Sequence, residues 1–504
     1  MDGRITSIVI LGGGTAGWMA AAALSRLVPQ PTAITLIESD QIGTVGVGEA
    51  TIPPIRQFNA SLGIDEDRFL RATGGSFKLG IVFDGWGAPG SRYIHAFGAI
   101  GRGLGVLPYH HYWLRHRAEG GTAGLWDASP CAQAADANRF ARIEDRPGAP
   151  ASGMAWAFHF DAALYAAFLR GEAEARGVVR VEGRVEDVRR DPETGFVTAL
   201  ALDGDRQVEG QLFIDCTGFA ALLIGRALET AFDDWSRWLP CDRALAVPCA
   251  AAGALLPFTR STARAAGWQW RIPLQHRTGN GLVYASHAMS DDQAADILLR
   301  SLDGAPLATP RQLRFKAGRR RRAWDRNVVA LGLASGFLEP LESTSIHLVQ
   351  SGIARLVDLF PRRGFDPADI DAYNRETAAE WEAIRDFLIL HYHANQRPEP
   401  FWRDMAAMAV PDSLAARIAL FRANGRITRQ PHDLFTEAAW LQVMIGQGIM
   451  PAGYHPFADR LDAGQLAEFI ALNRAHAAHV AAQMPDHAAF IAATCATTVG
   501  AEAA

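Results

Sequence analysis

Gly12, Gly14 and Gly17 fall on the spacing G-x-G-x-x-G within Gly12-Gly13-Gly14-Thr15-Ala16-Gly17, the pattern of a turn that cradles a pyrophosphate. The first glycine permits the tight turn, the second lets backbone approach the phosphates, and the third packs helix on strand with the helix amides facing the anion. Glu38 ends the next apolar run about 20 residues on, where a carboxylate binds ribose hydroxyls. This is dinucleotide chemistry, with FAD and NAD both open. Lys78 is a second candidate. Phe77, Leu79, Ile81 and Phe83 alternate as one buried face, so Lys78 points with Ser76 to the opposite side, which must be polar or line a cavity. Burial there favours the neutral, nucleophilic amine. Glu342 stands before Ser343-Thr344-Ser345 and an apolar run, which reads as a helix start with hydroxyls to cap it and free amides able to hold an anion. Trp268, Trp270 and Ile272 alternate, so an extended strand sets all three on one face as a bulky apolar wall, equally the pattern of a plain core strand.

The elements that must position these groups begin with a βαβ unit. Residues 8–11 form an apolar run, residues 18–27 an alanine-rich helix, and residues 33–37 a second apolar run. Strands with abrupt Gly or Asp endings recur at residues 212–214 and 328–331, so one sheet is assembled from distant segments. After about Asp366 the pattern becomes helical, as over residues 373–392, and residues 471–504 predict an alanine-rich helix with a frayed end. The expected fold is α/β: a doubly wound dinucleotide-binding core with an interleaved substrate module and a C-terminal helical layer. One interlocked unit spans residues 1–504. Its dinucleotide-binding core lies at about 1–100, 155–225 and 310–360, and its substrate module at about 101–154, 226–309 and 361–504.

The net charge of −5 gives no general attraction for polyanions, and the basic run Arg319 to Arg322 is flanked by Ala317 and Trp324, so no nucleic-acid partner is expected. No stretch reaches the roughly 20 apolar residues of a membrane helix, and the first residues lack a signal-peptide plan, which predicts a soluble, cytoplasmic protein. Cys131, Cys216, Cys241, Cys249 and Cys495 are odd in number, scattered and without a C-x-x-C pair, so neither disulfide framework nor zinc site is expected. The pairs His110-His111 and His391-x-His393 lack the carboxylate or cysteine spacing that would complete a metal site.

Four further segments resemble the flavin-dependent tryptophan halogenases: Gly46-Val47-Gly48-Glu49-Ala50-Thr51-Ile52-Pro53, Phe213-Ile214-Asp215-Cys216-Thr217-Gly218-Phe219, Trp268-Gln269-Trp270-Arg271-Ile272-Pro273 and Glu339-Pro340-Leu341-Glu342-Ser343-Thr344. With the glycine turn, the likeness runs to about Phe401. It implies FAD held by Gly12, Gly14, Thr15, Ala16, Gly17, Glu38, Gly332 and Leu338, covered by a strap carrying Val47, Gly48, Glu49 and Ala50. It implies Lys78 as the group that holds hypohalous acid or forms a haloamine, and Glu342 as the base that takes the ring proton. Halide is placed near Thr344 and Ser345, although members often carry glycine at the latter position. His95 and Phe97 line the aromatic pocket, and Trp268, Trp270 and Ile272 keep organic substrate from the flavin. The implied cycle joins reduced FAD, oxygen and bromide or chloride through a flavin hydroperoxide to hypohalous acid, which halogenates an electron-rich ring. No second glycine fingerprint follows another strand, so reduced flavin is expected from a separate NADH- or NADPH-dependent reductase. Members that take free tryptophan clamp its amino-acid end with tyrosines and acidic groups. Residues 440–456 have no tyrosine pair here, which favours indole or a substituted indole, and the chain resembles members that favour bromide. A flavin monooxygenase, or an FAD-binding protein without turnover, stays open as the alternative.

Overall fold

Residues 8–11 extend to the strand Ser7–Leu11, which forms the spine of a six-stranded sheet in the computed structural model, where residues 3–41, 48–143, 145 and 151–499 are described. The strand order is Trp324–Asp325, Val328–Ala330, Leu212–Asp215, Ser7–Leu11, Ala33–Glu38 and Val179–Glu182, parallel except at the first pair. Sheets of this kind are covered on both faces, so their strands read as unbroken apolar runs. Ile8 and Ile10 face one core with the helix Thr15–Leu27, whereas Val9 and Leu11 face another with Val197, Leu200 and Leu202. The helices Ala162–Glu174 and Ser345–Asp358 pack beside Thr15–Leu27, and the latter brings the Glu342 segment to the dinucleotide end of the sheet.

A second, seven-stranded sheet runs in the order Arg311–Arg314, Arg243–Ala250, Arg277–Tyr284, Gly267–Pro273, Thr259–Arg264, Gly80–Asp84 and Arg92–Ala96. Between the two large sheets lies a small one with Ala157–Asp161 at its centre, Gly48–Ala50 on one side and Ser76–Lys78 on the other. Gly48 opposes Asp161 and Lys78 opposes Ala157, so one short strand fixes the strap relative to the lysine.

This arrangement corrects the reading of residues 77–83 as one alternating face. Ser76–Lys78 and Gly80–Asp84 belong to different sheets, with the break at Leu79, whose amide turns to the carbonyl of Pro257. Phe77, Leu79 and Val82 enter one core, and Ile81 and Phe83 the other. Lys78 does share a side with Ser76, but both are fully enclosed.

The C-terminal layer begins as expected, with Asp366 capping the helix Pro367–His393 through the amide of Ala368. Residues 471–499 are not one helix. Ala463–Ala482 ends before Pro485, and Asp486 caps a new helix, His487–Thr494, because proline cannot continue the first. Residues 500–504 lie outside the described part. Among the described residues no helix is long and apolar enough to cross a membrane.

Candidate active site

At the dinucleotide end, Gly12 and Gly17 are required by what surrounds them. Gly12 has φ +110°, and a Cβ there would lie 2.3 Å from the carbonyl oxygen of Cys216. A Cβ on Gly17 would lie 1.8 Å from the carbonyl of Gly12, so strand and helix touch through backbone. Gly14 is different. It caps Thr15–Leu27 with ordinary backbone, no side chain serves the helix amides, and nothing lies within 4 Å of the place a Cβ would take. Open ground before uncapped amides fits a pyrophosphate. Glu38 ends its strand beside the turn, paired with Arg180 at 2.5 Å, and its carboxylate occupies the space that a side chain on Gly13 would need. Thr15 reaches the carbonyl of Ala162 at 3.4 Å. Gly332, at φ +62°, brings the turn after Val328–Ala330 against Ala16, and Leu338 is buried beyond it. Asp215, by contrast, is consumed structurally: its carboxylate accepts from the amides of Thr217, Leu223 and Ile224.

Of the strap, Val47 lies outside the described residues. Gly48 packs on Gly279 and on Ile272, so the strap rests against the end of the predicted wall. Burial pushes the Glu49 carboxyl up to about 7. A cavity of about 510 Å³ opens beside it, lined by Gly48, Val247, Arg277, Gly279 and Asn280 among others. Trp268, Trp270 and Ile272 lie on Gly267–Pro273 and enter one core, with the two indoles 6.1 Å apart. Gly281 must lack a side chain because the ring of Trp270 fills that space. The Trp268 indole donates to Oε2 of Glu339 at 2.8 Å, and Tyr392 donates to the same oxygen at 2.5 Å. The wall therefore runs from the strap to within three residues of Glu342.

Lys78 and Glu342 come together where the strand Ser76–Lys78 meets the turn Pro340–Glu342 and Ser343 after it. Lys78 is 0 % exposed, donates to Oγ of Ser343 at 2.7 Å, and lies 5.4 Å from the ring centroid of Phe97. Burial pushes its ammonium down to about 7 against the opposing attraction of Glu342. Glu342 belongs to the turn Pro340–Glu342, and Ser343 follows at φ +60°, a left-handed conformation uncommon for a non-glycine residue. That reversal sends the chain into Ser345–Asp358 while the Ser343 hydroxyl accepts from the lysine. Glu342 is 1 % exposed. Oε2 faces Nδ1 of His95 at 2.8 Å, and Oε1 lies 2.7 Å from Nε2 of His391 without an aligned hydrogen bond. Burial alone would raise this carboxyl, but His95 outweighs it, joined by His391 when that ring carries a proton toward Oε1, and the carboxyl is held at about 2. The site thus keeps a carboxylate beside an amine poised near neutrality.

The helix Ser345–Asp358 starts at Thr344, and here the expected capping fails: no side chain caps the helix. The Thr344 hydroxyl is fully buried and has no hydrogen-bond partner, next to the helix's first amides, while Ser345 is partly exposed. His95 and Phe97 are buried at this end, with Phe387 and Phe435 stacked at 3.8 Å and Trp440 against Phe387 at 4.8 Å. The polar side chains of residues 440–456 are largely spent within the fold. Gln442 holds both backbone groups of Ala96, Gln447 holds Tyr93 and the carbonyl of His391, and Tyr454 donates to Asp459. The other candidate histidines serve packing: His110 meets the carbonyl of Gly425, and His111 accepts from the amide of His455.

Sequence reading missed Ser343, Glu339 and His391 as members of this cluster. Glu339 stood inside a quoted motif without a role, Ser343 was read only among the hydroxyls that could cap the helix, and His391 was weighed only as half of a histidine pair.

A family model described as tryptophan halogenase matches residues 7–463. The chain is 36% identical to a tryptophan 6-halogenase of Streptomyces albogriseolus, over 90% of this chain and 91% of that one. It is 36% identical to a tryptophan 7-halogenase of Lentzea aerocolonigenes, over 86% and 85%. Among solved structures, a flavin-dependent halogenase from Xanthomonas campestris superposes with a TM-score of 0.95 at 50% identity, covering 98% of this chain and 99% of that one. Another, from Brevundimonas, does so with a TM-score of 0.94 at 48% identity, covering 98% and 100%. These likenesses extend over nearly the whole chain, and the chain belongs to the tryptophan halogenase family of flavin-dependent enzymes.

Proposed function

We propose that this enzyme uses reduced FAD, oxygen and halide to halogenate an electron-rich aromatic ring, with indole or a substituted indole as substrate and bromide preferred over chloride. The observation that carries this reading is the enclosed cluster in which Lys78 contacts Ser343 while the adjacent Glu342 meets His95. Gly12, Gly14, Gly17 and Glu38 would hold the adenosine diphosphate part, with Thr15, Ala16, Gly332 and Leu338 around the helix start and Gly48, Glu49 and Ala50 over the ring. When bound, the reduced cofactor supplies the electrons that let oxygen oxidise halide. Thr344, with its unpartnered hydroxyl beside free helix amides, suits a halide ion, and Ser345 flanks it.

Lys78 receives hypohalous acid. Near neutral pH its amine is close to half protonated, so it can donate a hydrogen bond to the oxidant or attack it. Glu342, charged and oriented by His95, takes the proton from the ring once the halogen is attached. Trp268, Trp270 and Ile272 form a bulky wall that meets the strap at Gly48 and Glu339 at its far end, which supports a barrier between organic ring and flavin and so favours halogen transfer over hydroxylation. Free tryptophan would bring a zwitterion whose charges need buried partners. Gln442 and Gln447 are already engaged, which supports an indole without that head group. A separate NADH- or NADPH-dependent reductase is the proposed source of reduced flavin.

Incubating the protein with FAD, such a reductase, NADH, oxygen, bromide and indole tests the reading. Bromoindole is expected. Hydroxylated indole would make the protein a monooxygenase, and unchanged indole would refute the substrate assignment.

A further inference from the structure

Among the described residues, His391 is the one group in contact with Glu342 to which the proposed cycle gives no work. It lies near the end of Pro367–His393, is fully buried, and stacks on Phe83 with centroids 4.8 Å apart. Its surroundings fix its tautomer. Gln447 donates from Nε2 to the carbonyl of His391 at 2.8 Å, which turns Oε1 of Gln447 toward Tyr93, whose hydroxyl donates to it at 3.1 Å. A phenol has one proton. With that proton committed, Tyr93 can only accept at its 3.3 Å contact with Nδ1 of His391, so the neutral ring carries its proton on Nδ1. Nε2 is then a bare lone pair 2.7 Å from Oε1 of Glu342, and both atoms are buried without an aligned hydrogen bond. Two buried acceptors in contact repel each other until one of them takes a proton, which a small tilt of the ring would bring into line.

We propose that His391 is the final acceptor of the ring proton, acting through Glu342. The inference rests on the reading of Glu342 as the base. In the step, the C–H bond at the halogenated carbon breaks and its electron pair returns to the π system. The proton passes by way of Oε1 of Glu342 to Nε2 of His391, leaving a carboxylate beside an imidazolium. Hydroxide released from hypohalous acid balances this proton, so water is the net co-product. His95 occupies the opposite carboxylate oxygen and leaves Oε1 to this role; burial lowers the pKa of His391, so the ring starts neutral, and the Glu342 carboxylate beside it offsets part of that penalty once the imidazolium forms.

Bromination kinetics of the FAD-loaded enzyme with indole test the proposal. Glu342→Gln is expected to lower kcat about 100-fold and His391→Gln about 10-fold, both with indole KM unchanged. The double variant should lose about 100-fold, because His391 has nothing to receive once the carboxylate is gone. Glutamine can still hold Glu342 by a hydrogen bond but cannot take its proton, so ring-deuterated indole should show a primary isotope effect on kcat in His391→Gln that the parent lacks. Tyr93→Phe, which deletes one hydroxyl and keeps its ring stacked on Phe83, frees the tautomer and should lower kcat by a smaller factor with the same isotope signature. Full activity in His391→Gln beside an impaired Glu342→Gln would overturn the role of His391 alone. So would losses that multiply in the double variant. An unimpaired Glu342→Gln would overturn the reading of the base itself.

Discussion

Replacing Lys78 by methionine should abolish halogenation and make the protein more stable. Both side chains are long and unbranched, so the change removes a buried charge with little loss of volume. Burial lowers the lysine from 10.5 to about 7 with the attraction of Glu342 already included. At 1.36 kcal/mol per unit, forcing the ammonium into the fold costs about 5 kcal/mol. Near pH 7 roughly half of the amine is neutral, which trims that figure only slightly, and leaving Ser343 without its donor takes back about 1–2 kcal/mol. The net gain is about 3 kcal/mol. With an unfolding entropy of about 2.1 cal/mol/K per residue, a chain of this length should melt about 3 °C higher. The sign of the pH dependence follows from the same shift. Between about pH 7 and 10.5 the unfolded chain holds a proton at this lysine that the folded chain has lost, so parent stability rises with pH across that window. Lys78→Met lacks this slope, and its advantage should be largest at or below pH 7 and fade toward pH 10. Thermal melts of both proteins from pH 6 to 10, paired with bromination assays, decide the matter. A variant less stable than its parent at pH 7, or an advantage that does not change with pH, would refute the reasoning that Lys78 is held desolvated.

Gly14→Val should lose at least about tenfold in FAD affinity with an unchanged circular dichroism spectrum, since the new side chain meets only open space in the apoprotein but fills the approach to the helix amides; FAD titration at parental strength would show the motif misassigned. Thr344→Val removes a buried hydroxyl that has no partner, so it should leave stability equal or up to about 1–2 kcal/mol higher while raising KM for bromide, and an unchanged bromide KM would separate that hydroxyl from halide. Indole should be brominated ahead of tryptophan in direct competition, mainly at C3, the most electron-rich ring carbon. A preference for tryptophan, or a single benzo-ring product, would reveal a clamp outside residues 440–456.

What the sequence determined by itself is local in origin. The glycine turn is readable because its constraints act between residues a few positions apart, and Gly12 and Gly17 meet each other across one turn. The apolar runs at Ser7–Leu11 and Leu212–Asp215 declare a doubly covered sheet for the same reason, and alternation in Gly267–Pro273 identifies a buried strand. Family motifs named Lys78 and Glu342, since spacing gave no reason to join them. Tertiary structure decided the rest. Lys78 reaches Ser343 across 265 positions and His95 reaches Glu342 across 247, contacts that no periodicity encodes. Alternation failed at Leu79 because the chain changes sheets there, and a pattern of period two cannot say which sheet it serves. The hydroxyls after Glu342 suggested a capped helix, yet Ser343 turned to the lysine and Thr344 was left unpartnered. The charge states of the cluster were beyond sequence as well, because a buried group's protonation is set by whichever distant chains enclose it: His391 is an ordinary helix residue until Tyr93, Gln447 and Glu342 arrive from three other segments and fix what its ring can do.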